Sequence, residues 1–556
     1  MRIFVLSTAL LTLLLNPLFA QQPLQLLLEQ RGEVVVSMDA ANILNIPNHY
    51  AWSFEPAVGD KVKVYLNKKQ YQVLLDLNIP FVPEAIPSMA FEAVMAASVL
   101  EMKSWDAYPD YDTYLAMMQQ FALDYPGLCK LDTIGETVEG RHLLALKISD
   151  NVQTDEQEPE VFYTSSMHGD ELTGYVLMLR FADYLLTNYP VGTVKNLVDN
   201  LEIYINPLAN PDGTFASGNS TVNGATRSNA NYVDLNRNFP DPKHGEHPDG
   251  EEWQPETVGM MSFMDKHHFV MSMNFHGGAE VLNYPWDTFS ARHADNNWFI
   301  WVCREYADTV HTVSTSYMSD LENGITNGYD WYEVAGGRQD YVTYYLHGRE
   351  ITNEISAVKL IDASQLPAHW DYNYRSLLNY LKQATYGIHG LVTDTAGNAL
   401  EAKIFIAGHD KDSSHVRTDA DGVFYRYLKA GDYTLTIEAD SFVTQNVTVR
   451  VKDYQQSILQ VEMQKPVGVT EFKIGNWNIY PNPVSEVMTI QWQLSASDLN
   501  QVVIYDQVGK LVLSLRVEQE NYRKLFTLDV SGLSPGIYFV GVNNSIDVGF
   551  KKLIVQ

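Results

Sequence analysis

Positive charge and cysteine are what this chain has least of. Its 556 residues carry 38 Lys and Arg against 68 Asp and Glu, giving a net charge of −30 and a pI near 4.8. So acidic a surface argues against nucleic acid and anionic membranes as partners, because both need basic patches. It suits a soluble exported protein and weakly favours basic peptides by long-range attraction. Two cysteines, Cys129 and Cys303, are too few for a disulfide framework. They can pair in an oxidising compartment or stay buried and free. No apolar run is long enough for a convincing membrane span, since the N-terminal one is short and broken by Asn16 and Pro17. Low-complexity tracts are also missing, and 46% hydrophobic with 12% aromatic content is a globular composition. At this length three or four domains are expected.

The N-terminal stretch MRIFVLSTALLTLLLNPLFAQQ has one Arg, an apolar run and a small residue, Ala20. It reads as a secretory signal peptide over residues 1–20, cleaved after Ala20. Residues 21–90 read as a small α+β domain. GEVVVSM and KVKVYL are β-branched strands, KKQYQVLLDLNI has helical spacing, and PFVPEAIPSM reads as a proline-rich linker. Over residues 105–385 strand-like and helix-like segments alternate. LLALKIS, VFYTSSM, LEIYINP and VMSMNFHGG are strands, and ELTGYVLMLRFADYLLTNY is a long amphipathic helix. This alternation implies an α/β domain with a largely parallel or mixed sheet, helices on both faces and a site outside the strand ends. Helices then vanish. Residues 387–463 and 474–556 alternate apolar and polar residues between Gly and Asp turns, as two all-β sandwich domains do.

Chemistry concentrates in SSMHGDELTGY, where His168 and Glu171 stand in the spacing H-x-x-E, and in SMNFHGGAEVLNYPWD, which carries His276. H-x-x-E alone occurs by chance. Two imidazoles and a carboxylate, however, are the ligand set of a catalytic zinc whose fourth position is left for water, and that set points to metal-assisted hydrolysis. Around it come IGETVEGRHLLALKIS, INPLANPDG, TRSNANYVDLNRNFPD, QPETVGMMSFM, NFHGGAEVLNYPWD, NGITNGYDWYEVAGGRQDY and EITNEIS, in that order.

These seven segments resemble the zinc carboxypeptidase (funnelin) family, the last four most closely its regulatory, carboxypeptidase N/E-like branch. The resemblance implies one Zn2+ in the catalytic domain, bound by His168, Glu171 and His276. It implies Glu354 as general base and Arg227 as the cation that stabilises the oxyanion. It further implies Asn236 and Arg237 as the clamp on the substrate's terminal carboxylate, with Tyr332 closing over it. Asp287, with Gln339 lower in the same pocket, would select C-terminal Lys or Arg. Two departures bear on the pocket and the metal: Asp170 stands where Asn is common in animal members, and Arg338 stands where Met is common and could repel or reshape the pocket. His267 and His268 read as structural, and His244 and His247 as a solvated loop.

Residues 387–463 resemble the transthyretin-like, carboxypeptidase-regulatory-like sandwich. The tail, with IYPNPV, VVIYDQVGKLV, LDVSGLSPGIYFV and KKLIVQ, resembles the sorting domain of type IX secretion. That implies export from a Gram-negative bacterium, with the type IX machinery and peptides or proteins bearing free C-termini as partners. Residues 21–90 look like a propeptide-type domain that covers the site until cleaved. The competing expectations are a carboxypeptidase for peptidoglycan stem peptides, a non-catalytic binding protein on the same scaffold, and a surface adhesin acting through its β domains.

Overall fold

The computed structural model describes residues 16–55, 57–466, 477–492, 501–517, 525–543 and 548–556. Most of the expected signal peptide lies outside them, and a helix α1 (Asn16–Arg31) runs through its expected cleavage point. The chain divides into two compact units, up to Lys465 and from Pro466 onward. Among the described residues no helix is long and apolar enough to cross a membrane.

After α1 come β1 (Glu33–Asp39), β2 (Ser53–Phe54), β3 (Lys61–Asn67), α2 (Lys68–Asp76) and β4 (Phe81–Pro83), with the sheet ordered β2-β3-β1-β4. The helix starts where Asn67 and Gln70 cap one another's backbone N–H groups. The proline-rich segment is not a free linker. Its first residues form β4, an edge strand on β1, where the missing N–H of a proline is tolerated. Farther along, Ser88 Oγ donates to the Ala225 carbonyl at 2.6 Å and so ties the segment to the next domain.

That domain holds one eight-stranded sheet. Its strands are β5 (Cys129–Glu136), β6 (His142–Ile148), β7 (Glu160–Ser165), β8 (Glu202–Asn206), β9 (Phe269–His276), β10 (Ala279–Tyr284), β11 (Ile325–Asn327) and β12 (Arg349–Ser356), ordered β11-β10-β12-β9-β7-β8-β6-β5. The central β12, β9, β7 and β8 run parallel. Every residue of β7 and β9 is buried, because helices cover both faces; this is why neither strand alternates strictly between apolar and polar residues. The long helices Thr173–Asn188 and Leu366–Ala384 pack within the main core. The parallel strands β7, β9 and β12 all end on one side of the sheet, where β9 and β12 set His276 opposite Glu354.

Residues 387–463 form a sandwich of a three-stranded and a four-stranded sheet. A buried ionic latch holds it to the domain of the eight-stranded sheet. Asp295 Oδ2 accepts from Arg349 Nη2 at 2.8 Å, and its Oδ1 accepts from Arg426 Nη2 of the sandwich at 3.0 Å and lies 2.9 Å from His409 Nε2. Burial alone would raise the Asp295 pKa, but Arg426 and Arg349 outweigh it and hold the carboxyl far below its usual range. Arg426→Met should cost about 3 kcal/mol, at the low end for an opened buried pair because Arg349 stays on the same carboxylate. A lower urea midpoint with an unchanged m-value is the expected readout. Among its described residues, the unit from Pro466 onward has two further antiparallel sheets, of three and four strands.

Candidate metal centre and substrate cleft

The loop after β7 brings His168 and Glu171 to the end of β9, where His276 sits. His168 Nδ1 lies 3.0 Å from Glu171 Oε1, His276 Nδ1 lies 2.9 Å from Glu171 Oε2, and the two Nδ1 atoms are 3.0 Å apart. All three side chains are buried, and their ligand atoms converge as a metal site requires. The remaining ring nitrogens are occupied. His168 Nε2 lies 3.0 Å from Asp234 Oδ1, and His276 Nε2 lies 2.8 Å from the side-chain amide of Asn274. Donating its Nε2–H to the carboxylate, His168 presents its Nδ1 lone pair to the triad's centre. Burial pushes the His276 pKa down to about 4, so the ring is neutral, as a ligand must be. Burial works to raise the Glu171 pKa, but His168 and Lys359 overcome it and keep the carboxylate ionised. Two imidazoles and a carboxylate fit Zn2+.

Glu354 flanks the triad from β12. Its Oε2 is buried and has no hydrogen-bond partner among the described residues. Burial, then the charge of Glu171, drives its pKa well above the usual carboxylate range; a divalent cation in the triad acts against both causes. Arg227 Nε donates to Asp234 Oδ2 at 2.8 Å, and its Nη1 lies 3.3 Å from Glu171 Oε1. Burial disfavours its charge, but Asp234 and Glu171 more than compensate. Asp234 therefore orients a ligand histidine with one oxygen and Arg227 with the other.

On the far side of Asp234, Arg237 is buried. Its Nε donates to the Trp52 carbonyl at 3.3 Å and its Nη1 to the Asn236 carbonyl at 2.9 Å, while Nη2 has no partner among the described residues. Asn236 Oδ1 accepts the Arg338 N–H at 3.0 Å, which leaves the Nδ2 of the same amide as donor. Tyr332 is half-buried, and the charges of Arg237, Glu354, Arg227 and Asp287 all act on its hydroxyl.

Asp287 follows β10 in a closed pocket. Its Oδ1 accepts from Gln339 Nε2 at 2.9 Å, and Gln339 is itself fixed by accepting the Thr352 N–H at 2.8 Å. Gly328 makes room: a Cβ there would lie 1.7 Å from Asp287 Oδ1. Asp340 accepts the N–H groups of Asp287 and Thr288. With no cation bonded to it, buried Asp287 has its pKa pushed up to about 7, first by desolvation and further by the charges of Glu350 and Asp241.

The three expected metal ligands meet in one buried cluster with Arg227 and Glu354 beside it, but Arg338 does not meet its expectation. Its guanidinium is fully buried and bonded twice to Glu350, at 3.0 and 2.9 Å, so it supplies no free charge to repel a basic side chain. Cys129 and Cys303 are both buried and unpaired. His267 bonds Glu160 at 2.9 Å and stacks among aromatics, and His244 lies 3.1 Å from Glu333. Sequence reasoning passed over Asp234, although it opens the DLNRNF segment, and Lys359, whose Nζ lies 2.9 Å from Glu171 Oε1.

It also gave no detail of what the N-terminal domain does here. Glu33 accepts the N–H groups of Arg227 and Ser228 at 3.1 and 3.2 Å and the Ser228 hydroxyl at 2.8 Å. Ser53 Oγ donates to Asp234 Oδ2 at 2.5 Å, and the Tyr50 carbonyl accepts the Ala335 N–H at 3.0 Å. The Tyr65 ring lies over Lys359 and Arg227. At Gly32, with φ +71°, a Cβ would come within 1.9 Å of the Tyr232 ring, so only glycine lets the two domains approach this closely.

Residues 114–376 carry the pattern of the zinc carboxypeptidase family, residues 387–464 that of the carboxypeptidase regulatory-like domain, and residues 478–556 that of the secretion system C-terminal sorting domain. The chain is 31% identical to the carboxypeptidase N catalytic chain of Homo sapiens over 396 residues, 64% of this chain and 86% of that one. It is 33% identical to carboxypeptidase M of Mus musculus over 376 residues, 63% of this chain and 83% of that one. Against carboxypeptidase D of Drosophila melanogaster it is 34% identical over 412 residues, 70% of this chain but 29% of that relative, so it spans under a third of that longer protein. The crystal structure of a carboxypeptidase A from Helicoverpa armigera has the same fold, with a TM-score of 0.50 at 18% identity, covering 64% of this chain and 98% of that one. The chain belongs to the zinc carboxypeptidase family. Its sorting-domain tail marks it as secreted or attached to the cell surface.

Proposed function

We propose that this protein is a zinc carboxypeptidase that removes Lys or Arg from the C-terminus of peptides, is exported by the type IX machinery, and is kept latent by residues 21–90. The observation that carries the reading is the meeting of His168, Glu171 and His276 beside the unpartnered Glu354 carboxylate. Bound in the triad, Zn2+ supplies Lewis acidity to the scissile carbonyl and the attacking water. The protein's own groups do the rest. Glu354 takes the water's proton and returns it to the leaving amine. Arg227, fixed by Asp234, meets the negative charge that grows on the carbonyl oxygen. Arg237 Nη2 and Asn236 Nδ2 bind the terminal carboxylate, which answers the otherwise unexplained buried donor.

Asp287 supplies the specificity. An ammonium or guanidinium entering the pocket pairs the buried carboxylate, whereas an apolar residue leaves it alone. A peptidoglycan stem peptide has less to offer this pocket. Hydrolysis of peptides ending in Arg, Lys, Phe and Glu, with and without chelator, tests the reading: Arg and Lys ends should be cleaved, and zinc should restore activity lost to chelation. Asp287→Ala should lower kcat/KM for Arg ends by about 100-fold or more. A variant that still preferred Arg over Phe would contradict the assignment.

The same carboxylate gives a pH signature. The unfolded chain loses this proton near the ordinary Asp value of 3.8, the folded protein only near 7. Between those values the folded state holds the extra proton, so this group's contribution to stability falls as pH rises through the window. The pocket's charge appears over the upper end of that window. The Arg-to-Phe ratio of kcat/KM should therefore climb from about pH 6 to about pH 8 and level off only above that, and should be flat in Asp287→Asn.

A further inference from the structure

The carboxylate clamp and the Asp287 pocket account for one side of the metal triad. The other side is built on Lys359, in the segment SAVKL just after β12. Its Nζ lies 2.9 Å from Glu171 Oε1 and 3.3 Å from Asp170 Oδ1, and the side chain is buried. Arg227 Nη1 approaches the same Glu171 oxygen at 3.3 Å. Two cations thus meet at one edge of a metal ligand, and an aromatic ring covers them. The Tyr65 centroid is 4.2 Å from Lys359 Nζ and 5.5 Å from Arg227 Cζ. The Tyr65 hydroxyl donates to Glu55 of its own domain at 2.7 Å, so the catalytic domain meets its π face.

A peptide bound through the clamp places its last side chain on Asp287 and its scissile carbonyl at the triad. The residue before the scissile bond must then lie beyond the ligands, away from Asp287. The charges acting on Asp287 come from Arg237, Glu350 and Asp241, and those acting on Lys359 come from Asp170, Glu171, Arg227 and Glu55. Lys359 bonds the ligand Glu171 directly, whereas Asp287 bonds Gln339 and no residue of the triad.

We propose that Lys359 and Arg227 form the subsite for the substrate's penultimate residue and that it takes an aromatic side chain; this rests on the carboxypeptidase reading of the site. In the intact chain Tyr65 occupies the subsite as a resident stand-in. A π face suits it better than a carboxylate does. Asp170 and Asp234 already pair the two cations, so a further carboxylate would have to displace a buried partner, while the ring's quadrupole engages them without adding charge. An aliphatic side chain fills the space but lacks that attraction.

The test uses the full chain, zinc-loaded and opened by limited cleavage at Glu92, an exposed residue between regular elements that a Glu-specific protease can reach. The probes are blocked dipeptides Xaa-Arg with Phe, Leu, Ala or Glu at Xaa. Phe should exceed Leu in kcat/KM by about 5- to 30-fold, the range of a desolvated cation–π contact, with Glu the poorest. Lys359→Met should bring the Phe-to-Leu ratio close to one and Lys359→Arg should keep it, with circular dichroism and zinc content confirming that both variants fold and load. Equal rates for Phe and Leu in the parent chain, or an unchanged ratio in Lys359→Met, would overturn the subsite while leaving the proposed activity standing. No hydrolysis of any Xaa-Arg probe would overturn the carboxypeptidase reading and the subsite together.

Discussion

Glu354→Gln should cut kcat for a C-terminal Arg substrate by about 100- to 10,000-fold, the span that a positioned general base contributes, while zinc content and melting temperature hold. The amide keeps the size and polarity of the side chain but cannot take a proton from water. Nothing else near the triad is free to replace it. Asp234 is committed to His168, Arg227 and Ser53, and Asp170 to Lys359. Because Glu354 Oε2 has no partner among the described residues, the substitution breaks no hydrogen bond there. A loss of activity with intact fold and metal would therefore report on chemistry. Residual activity above a tenth of the parent would mean that the proton is handled elsewhere.

The second large effect concerns residues 21–90, and its sign is unusual. Trimming a buried, fully bonded carboxylate normally only harms a protein. Here Glu33→Ala should raise the activity of the uncut chain by about 10- to 100-fold, because the closed state loses at least the net worth of one hydrogen bond to a charged group, about 1.5–3 kcal/mol, while its other contacts remain. Glu33 bonds the backbone of Arg227 and Ser228, Trp52 takes a donor of the carboxylate clamp, and Ser53 binds Asp234. The domain thus bonds groups to which the proposed mechanism gives work. Cleavage at Glu92 followed by release of the fragment should raise kcat/KM further, and cleavage should then erase the difference between Glu33→Ala and the parent. Equal activity of cut and uncut parent chains would show that the domain does not gate the site.

What the sequence disclosed and what it hid divide along a physical line. The candidate ligands were legible because H-x-x-E follows β7 and a second histidine ends β9, in segments that resemble the family's. Glu354 was legible because its strand motif is short and local. The partners that steer these groups were not. His168 meets Asp234 across 66 residues, and Arg227 meets Glu33 across 194, and no periodicity encodes such contacts. Arg338 was misread for a related reason. A basic residue beside a pocket motif suggests a charge in the pocket, but burial demands a partner, and Glu350 supplies it from the neighbouring strand β12. The segment PFVPEAIPSM looked like a linker because its prolines favour extended backbone; extended backbone at an edge is also what β4 needs.

The most direct measurement is zinc stoichiometry of the folded full chain after equilibrium dialysis against buffered zinc, set beside that of His276→Ala. Convergence of His168, Glu171 and His276 predicts one tightly held zinc per chain in the parent and close to none in the variant, with both proteins folded. A parent chain that takes up no zinc, or a variant that retains it in full, would contradict that claim.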